Sequence, residues 1–238
     1  RPSASWRSME SPRVAGSEGS EPGNAPSSSN SFPDPAAKGL LLVVSGPSGA
    51  GKSSVVHGVA SQVPFHFSVS ATTRAPRAGE TEGEDYFFVS RDEFEDLVAQ
   101  GDLLEWAEYS GYLYGTPRGP VLRHLDRGEH VVLDIENDGA GQVKRSYQDA
   151  VLVFIMPPSI ETLEQRLRDR GDTSPQDVAQ RLGVAREQIA DAEANFDFLV
   201  TNADLATAIS EVVSILSDPE LARTRASRAF PAPGDHTR

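Results

Sequence analysis

Eight consecutive residues, Gly46-Pro47-Ser48-Gly49-Ala50-Gly51-Lys52-Ser53, satisfy the spacing G-x-x-x-x-G-K-[ST] and concentrate more chemistry than any other stretch of the chain. Glycines let backbone N–H groups turn inward around an anion, and a helix starting behind them adds its positive dipole end. Lys52 supplies a point charge, and Ser53 a hydroxyl able to ligate Mg2+. The chemistry is that of a cradle for the β- and γ-phosphates of a nucleotide, lined from Gly46 to Ser54. Only Lys38, Lys52 and Lys144 among the 22 basic residues are lysine. By composition, a chance match is therefore on the order of a few in a thousand. The competing reading is a glycine-rich turn that merely ties a strand to a helix.

A cradle of this kind needs a carboxylate at the end of a later strand. Val131-Val-Leu-Asp134 is an apolar run ending in one, able to hold Mg2+ through water, with Glu136 two residues on. An acid after a strand is otherwise a solvated cap, so Asp134 gains meaning only from the loop. A second anionic, planar molecule finds its groups in residues 68–118. Arg74 and Arg77 stand three residues apart around Pro76, able to fork onto a phosphate. Tyr86, Glu105, Trp106, Tyr112, Tyr114 and Thr116 bring hydroxyls, a carboxylate and aromatic faces. Taken singly, such arginines are surface solubilisers and such tyrosines half-buried packing; Trp106, Phe87 and Phe88 are expected in the core.

Elements that would position these groups follow from the pattern. The apolar run Leu40–Val44 enters the glycine loop as a buried strand, and a helix follows over 53–62. Ser90 with Glu93 forms a capping box for a helix over 91–100. Strands are expected at 130–135, 150–155 and 198–201, and helices at 159–170, from Ser174-Pro175 onward, and at 203–217. Buried strands alternating with helices imply an α/β fold with a central parallel sheet covered on both faces. Residues 1–37 are rich in Ser, Pro, Gly and Glu and are expected to be a disordered arm, and 219–238 a loose tail.

Composition bounds the function. The formal charge is −13 and the pI about 4.8, which argues against a partner that is a nucleic-acid polymer. With no cysteine, disulfides, thiolate metal sites and cysteine nucleophiles are excluded. No apolar stretch reaches the roughly 20 residues of a membrane span, and the expected setting is cytoplasmic.

From Gly39 to Leu216 the chain resembles the guanylate kinase family. The run S-x-T-T-R-x-P-R-x-G-E from Ser70 to Glu80, then G-x-x-Y-x-F, E-W-A and Y-G-T, carries the likeness. The resemblance implies a P-loop three-layer core (38–67, 120–158 and 193–218), a small mixed α/β GMP-binding lobe (68–119) and a helical lid (159–192). It implies ATP with Mg2+ as phosphoryl donor, GMP or dGMP as acceptor, and a monomer or small homo-oligomer. Arg74, Arg77, Tyr86 and Tyr114 would grip the GMP phosphate. Ser70, Glu105 and Thr116 would read guanine, Asp134 and Glu136 would adjoin the acceptor, and Asn202 would lie near the ATP adenine. Lid arginines Arg166, Arg170 and Arg181 would join Lys52, Arg74 and Arg77 in catalysis, with Ser53 and Asp134 on the metal. Two departures stand out: Asp138 takes the place of a glutamine before Gly139-Ala140, and Gln188 that of a lid glutamate. A non-catalytic, peptide-binding relative and a P-loop kinase for another small molecule are the alternatives.

Overall fold

The computed structural model describes residues 38–169 and 174–229. Along the chain run β1 (Leu41–Ser45), α1 (Lys52–Ala60), β2 (His66–Phe67), β3 (Ser70–Thr72), β4 (Tyr86–Phe88), α2 (Arg91–Gln100), β5 (Leu103–Tyr109), β6 (Tyr112–Pro117) and α3 (Arg118–Asp126). There follow β7 (Val131–Asp134), α4 (Asn137–Ser146), β8 (Val151–Met156), α5 (Ile160–Asp169), α6 (Pro175–Asn195), β9 (Phe198–Thr201), α7 (Leu205–Ser217) and α8 (Pro219–Ala229).

Five strands form a parallel sheet in the order β2-β7-β1-β8-β9. Its central strand is buried throughout, and apolar up to Ser45, because both faces are covered. Leu42 and Val44 point into one core with Val55, Val59, Val212 and Leu216, from the α1 and α7 side. Leu41 and Val43 point into the other, with Val121, Leu125, Val143 and Ala192 from α3, α4 and α6. The chain has the three-layer α/β architecture expected of its strand–helix alternation. Since β7 and β8 flank β1, the order reverses beside the glycine loop, where open parallel sheets bind ligands at their carboxyl ends.

A second, four-stranded mixed sheet, β4-β3-β6-β5, has its own small core of Ala71, Phe87, Phe94, Leu97, Leu103 and Leu113. Helix α2 covers it, with the capping box in place: Ser90 accepts from the Glu93 N–H, Glu93 accepts from the Ser90 N–H, and Gly101 closes the helix at φ 69°. Helices α5 and α6 share a third apolar cluster, Leu163, Leu167, Val178, Leu182 and Ala185.

Two expectations need correction. The segment after Pro219 is not loose but forms α8 through Ala229. Asp218 accepts from the Leu221 N–H, Ala222 and Ala226 are buried one turn apart, and the Arg223 guanidinium donates to the Lys38 and Gly39 carbonyls at 2.8 and 2.7 Å. Its arginine-rich composition concealed a small-residue stripe at helical spacing. Trp106 is 40% exposed rather than core, because β5 leaves the interior after Glu105 and runs on as a projecting hairpin. The expected arm at 1–37 and the residues from 230 onward lie outside the described residues. Among the described residues no helix is long and apolar enough to cross a membrane.

Candidate active site

The donor cradle begins where β1 ends. Gly51 stands at φ 90° as N-cap of α1 and offers no capping side chain, so the first N–H groups of the helix are left for a ligand. A β-carbon on Gly51 would lie 2.3 Å from Asn202 Nδ2, and one on Gly49 would lie 3.0 Å from Leu163 Cδ1. The loop is thus pressed from behind by the segment after β9 and from the side by α5. Asn202, expected near the donor base, uses its amide on the loop itself, donating to the Ala50 carbonyl at 2.8 Å. Arg166 donates to the same carbonyl at 3.3 Å and to the Asn202 carbonyl at 3.2 Å. Pro47 and Ala50 are buried, whereas Ser48, Ser53 and Ser54 are exposed.

Across the mouth, Lys52 Nζ meets Asp134 Oδ1 at 2.6 Å, the contact that strand pairing of β1 with β7 sets up by matching Val44 to Asp134. Beside it opens a cavity of about 330 Å3 lined by Ser48 of the loop, Glu136, and Asp177, Gln180, Arg181 and Gln188 of α6. Gln188 Nε2 donates to Glu136 Oε2 at 2.7 Å. Arg170 lies outside the described residues.

On the small sheet the acceptor-side residues form two groups. Arg74 sits in a fork with Glu80, at 3.0 and 2.8 Å, and lies 5.3 Å from the centre of the Tyr86 ring. Tyr86 meets Tyr114 edge-on at 6.1 Å. The Glu80 carboxylate, then the Tyr114 hydroxyl, push the Arg74 guanidinium pKa up, and Arg74 in turn holds Glu80 below the usual carboxylate range. Glu80 also accepts from the Arg77 N–H at 2.7 Å, leaving the Arg77 side chain exposed beside the cluster.

The second group is Glu105 with Thr116, directly opposed on β5 and β6. Thr116 Oγ1 donates to Glu105 Oε1 at 2.6 Å in a buried setting. Burial pushes the Glu105 carboxyl pKa up, against the hydrogen bonds from Thr116. Ser70 lies on the neighbouring strand β3, paired with Tyr86. Helix α4 backs the group: a β-carbon on Gly139 would lie 3.1 Å from Glu105 Oε2. The side-chain amide of Gln142 accepts from the Trp106 N–H at 3.1 Å and donates to its carbonyl at 3.0 Å, as an added strand would.

Sequence reasoning passed over Glu80 and Gln142, and over Asn137 at the start of α4, whose side chain bonds Ser45 and Asp191. Glu80 stood within the quoted run, and an acid six residues after Arg74 beyond a proline was its only signal. Asn137 and Gln142 carry no pattern that short-range spacing could reveal, since their partners lie more than 30 positions away.

A glycine cradle at the switch point of a parallel sheet, beside a second sheet with a paired arginine and a buried carboxylate, defines a P-loop phosphotransferase. Comparison with known proteins gives the family. The guanylate kinase family model matches residues 38–219. The guanylate kinase of Gloeobacter violaceus is 51% identical over 177 residues, 74% of this chain and 86% of that one. That of Synechocystis sp. is 45% identical over 184 residues, 77% and 96% of the two chains. The crystal structure of guanylate kinase from Anaplasma phagocytophilum superimposes with a TM-score of 0.59 at 34% identity, covering 78% of this chain and 88% of that one. The chain belongs to the guanylate kinase family.

Proposed function

We propose that the protein transfers the γ-phosphoryl group of ATP to GMP or dGMP, giving ADP and GDP or dGDP. The observation that carries the reading lies at the start of α4. Asp134, just before it, touches Lys52 of the donor cradle, and Gly139, in its first turn, backs the buried Glu105 of the acceptor lobe so closely that a β-carbon there would lie 3.1 Å from Glu105 Oε2. Donor phosphates and acceptor base are thereby served from the two sides of one helix end.

Guanine presents an N1–H and an amino group side by side, so an ionised Glu105 can accept from both, with hydroxyls of Ser70 and Thr116 beside it. Adenine would turn an acceptor toward Glu105 and leave that buried carboxylate unpaired. Arg74 and Arg77 offer guanidinium groups to the acceptor phosphate, with the Tyr86 and Tyr114 hydroxyls at the same cluster. An oxygen of that phosphate, already anionic, forms the new bond to the γ-phosphorus as the bond to the β–γ bridging oxygen breaks, and ADP leaves with the electron pair. No general base is required; orientation and charge neutralisation supply the catalysis. Lys52 and the loop N–H groups receive the β- and γ-oxygens. Arg166 adds charge beside the loop, and Arg181 adds it from α6.

The Ser53 hydroxyl and the Asp134 carboxylate are hard oxygen donors at the mouth of the loop. Among the described residues no group of three or more His, Cys, Asp or Glu could hold a metal unaided. That donor set suits Mg2+, which keeps waters and substrate phosphates as its remaining ligands. When bound, Mg2+ neutralises charge on the β- and γ-oxygens.

The test is an acceptor screen of the purified protein with ATP and Mg2+, following ADP release with GMP, AMP, CMP and UMP. GMP is expected to exceed AMP by about 10⁴-fold in kcat/KM, the discrimination available to buried hydrogen bonds. No GDP at all would overturn the reading, and equal use of AMP would overturn the role of Glu105.

A further inference from the structure

Asn137, the first residue of α4, bridges three elements with one side chain. Its Oδ1 accepts from the hydroxyl of Ser45, at 2.8 Å, the fully buried residue that ends β1 and immediately precedes Gly46 of the cradle. Its Nδ2 donates to the Gln188 carbonyl at 2.9 Å and to Asp191 Oδ2 at 2.8 Å, both on α6. The other Asp191 oxygen accepts from Asn195 at 2.7 Å, so the carboxylate is held from two sides. Next door, Gln188 clasps Glu136. Helix α6 is thus gripped near its C-terminal third, while its N-terminal half carries Arg181 to the cavity shared with Ser48.

The geometry points to Asn137 as a positioning residue: it fixes the angle of α6 relative to the phosphate cradle and thereby places Arg181 over the transferring group. The inference rests on the phosphotransfer reading above. Arg181 lies seven residues from Gln188, about 10 Å along a helix at 1.5 Å per residue. A tilt of about 6° at the clasp would then move the guanidinium by about 1 Å, and misplacement of that size costs up to about 10²-fold in rate. Because the cradle itself is built by β1, α1 and the Asn202 brace, loosening the clasp should act on turnover and not on ATP affinity. A residue with a merely structural role would lower thermal stability without separating the two.

Asn137→Asp isolates the α6 half of the clasp. It can still accept from Ser45, but it sets a carboxylate against the Asp191 carboxylate and the Gln188 carbonyl with no proton between them. Asp191→Asn alone is mild, since its side-chain oxygen can still accept from the Asn137 amide while the exposed Asn195 amide turns over to accept from the new NH2. The double variant, Asn137→Asp with Asp191→Asn, restores the hydrogen bond to position 191 with its polarity reversed, while position 191 still accepts from Asn195 and only the weaker contact to the Gln188 carbonyl stays lost. With kcat and KM for ATP measured at saturating GMP, Asn137→Asp is expected to lower kcat about 10- to 100-fold with KM for ATP changed less than about twofold. The double variant is expected to recover to within about threefold of the unaltered protein. If Asn137→Asp does not fold, Asn137→Ser, which cannot reach α6 and introduces no charge, takes its place with the same expected split. Unchanged kcat, a fall in kcat matched by a rise in KM, or a double variant no better than the single would overturn the inference. GDP formation by the unaltered protein tests the phosphotransfer reading separately.

Discussion

On the proposed reading, the glycine cradle and the lobe of β3–β6 bind chemically similar groups by opposite means. The cradle is a backbone device, in which Gly49 and Gly51 sit at φ 94° and 90°, where a side chain is strained, and the Leu163 and Asn202 side chains press close against them. Its few side-chain contacts, from Asn202 and Arg166, go to backbone carbonyls and hold the loop's shape. The lobe is a side-chain device. Arg74 is already paired with Glu80, and Glu105 with Thr116, so its polar groups are aligned by one another rather than by the chain path. A backbone cradle recognises phosphate wherever it occurs, whereas a lobe of paired side chains can refuse the wrong base.

The sharpest break of this comparison is Lys52→Ala. The lysine is the one cradle residue whose charge, rather than whose shape, matters. Its removal is expected to lower kcat by about 10³-fold, the scale seen when a charge-stabilising donor is lost from a transition state. Circular dichroism should stay unchanged, because Lys52 is partly exposed and pairs only with Asp134 among the described contacts. Gly51→Ala ranks next and tests shape alone. The added methyl meets Asn202 Nδ2 at 2.3 Å on a backbone at φ 90°, so the loop must shift. KM for ATP should rise by about 10-fold or more, while GMP binding, measured by calorimetry without ATP, stays as it was. Gly79→Ala in the acceptor lobe is the control. It shares a positive φ of 92° but has nothing within 4 Å of the added carbon, so only the backbone cost of about 1 kcal/mol applies.

The same contrast explains what could be read from the letters. The cradle was legible because a backbone device leaves contiguous spacing, and so were α2 and the start of α6, whose caps are local: Ser90 with Glu93, and Ser174 followed by Pro175. Helix α8 escaped because its arginines looked like a tail, while the decisive contact, Arg223 to the carbonyls of Lys38 and Gly39, spans most of the chain. Lysine rarity singled out three residues, yet only Lys52 lies in the cradle. Lys144 is buried against the Ala150 carbonyl and Asp197, and Lys38 pairs with Asp126 at the surface. Rarity marks a residue as meaningful without saying for what. Partners such as Asn137 with Ser45 and Asp191 depend on the path of the whole chain, which no local pattern encodes.

On the acceptor side, Glu105→Gln tests whether base selection rests on charge. One of two acceptor oxygens becomes an amide that faces a guanine donor, and kcat/KM for GMP should fall by about 10²-fold while KM for ATP stays within about twofold. Removing a buried carboxylate should also raise the thermal midpoint of the ligand-free protein, since burial disfavours the charged form. A variant both more stable and less active would mark the lobe as the place where stability is given up for selection.

The smallest effect, and the one that separates the two sites most cleanly, is on pH. Burial raises the Glu105 pKa above its ordinary 4.5, so the ligand-free protein binds that proton more tightly than the unfolded chain does. Above the raised value the ionised form is a liability to folding, and the liability disappears as pH falls through it toward 4.5. The stability gap between Glu105→Gln and the unaltered protein should therefore be widest at neutral pH and close on acidification. Function runs the other way. On the proposed reading guanine needs the ionised carboxylate, so kcat/KM for GMP should fall as pH drops through the raised value, and that limb should vanish in Glu105→Gln. Ionisation of the GMP phosphate, near pH 6, affects both proteins alike and cancels in their ratio. ATP affinity, resting on the cradle and away from Glu105, should give no such difference between the two. An acid limb that survived in the variant would assign the titration to the phosphate and leave Glu105 as packing.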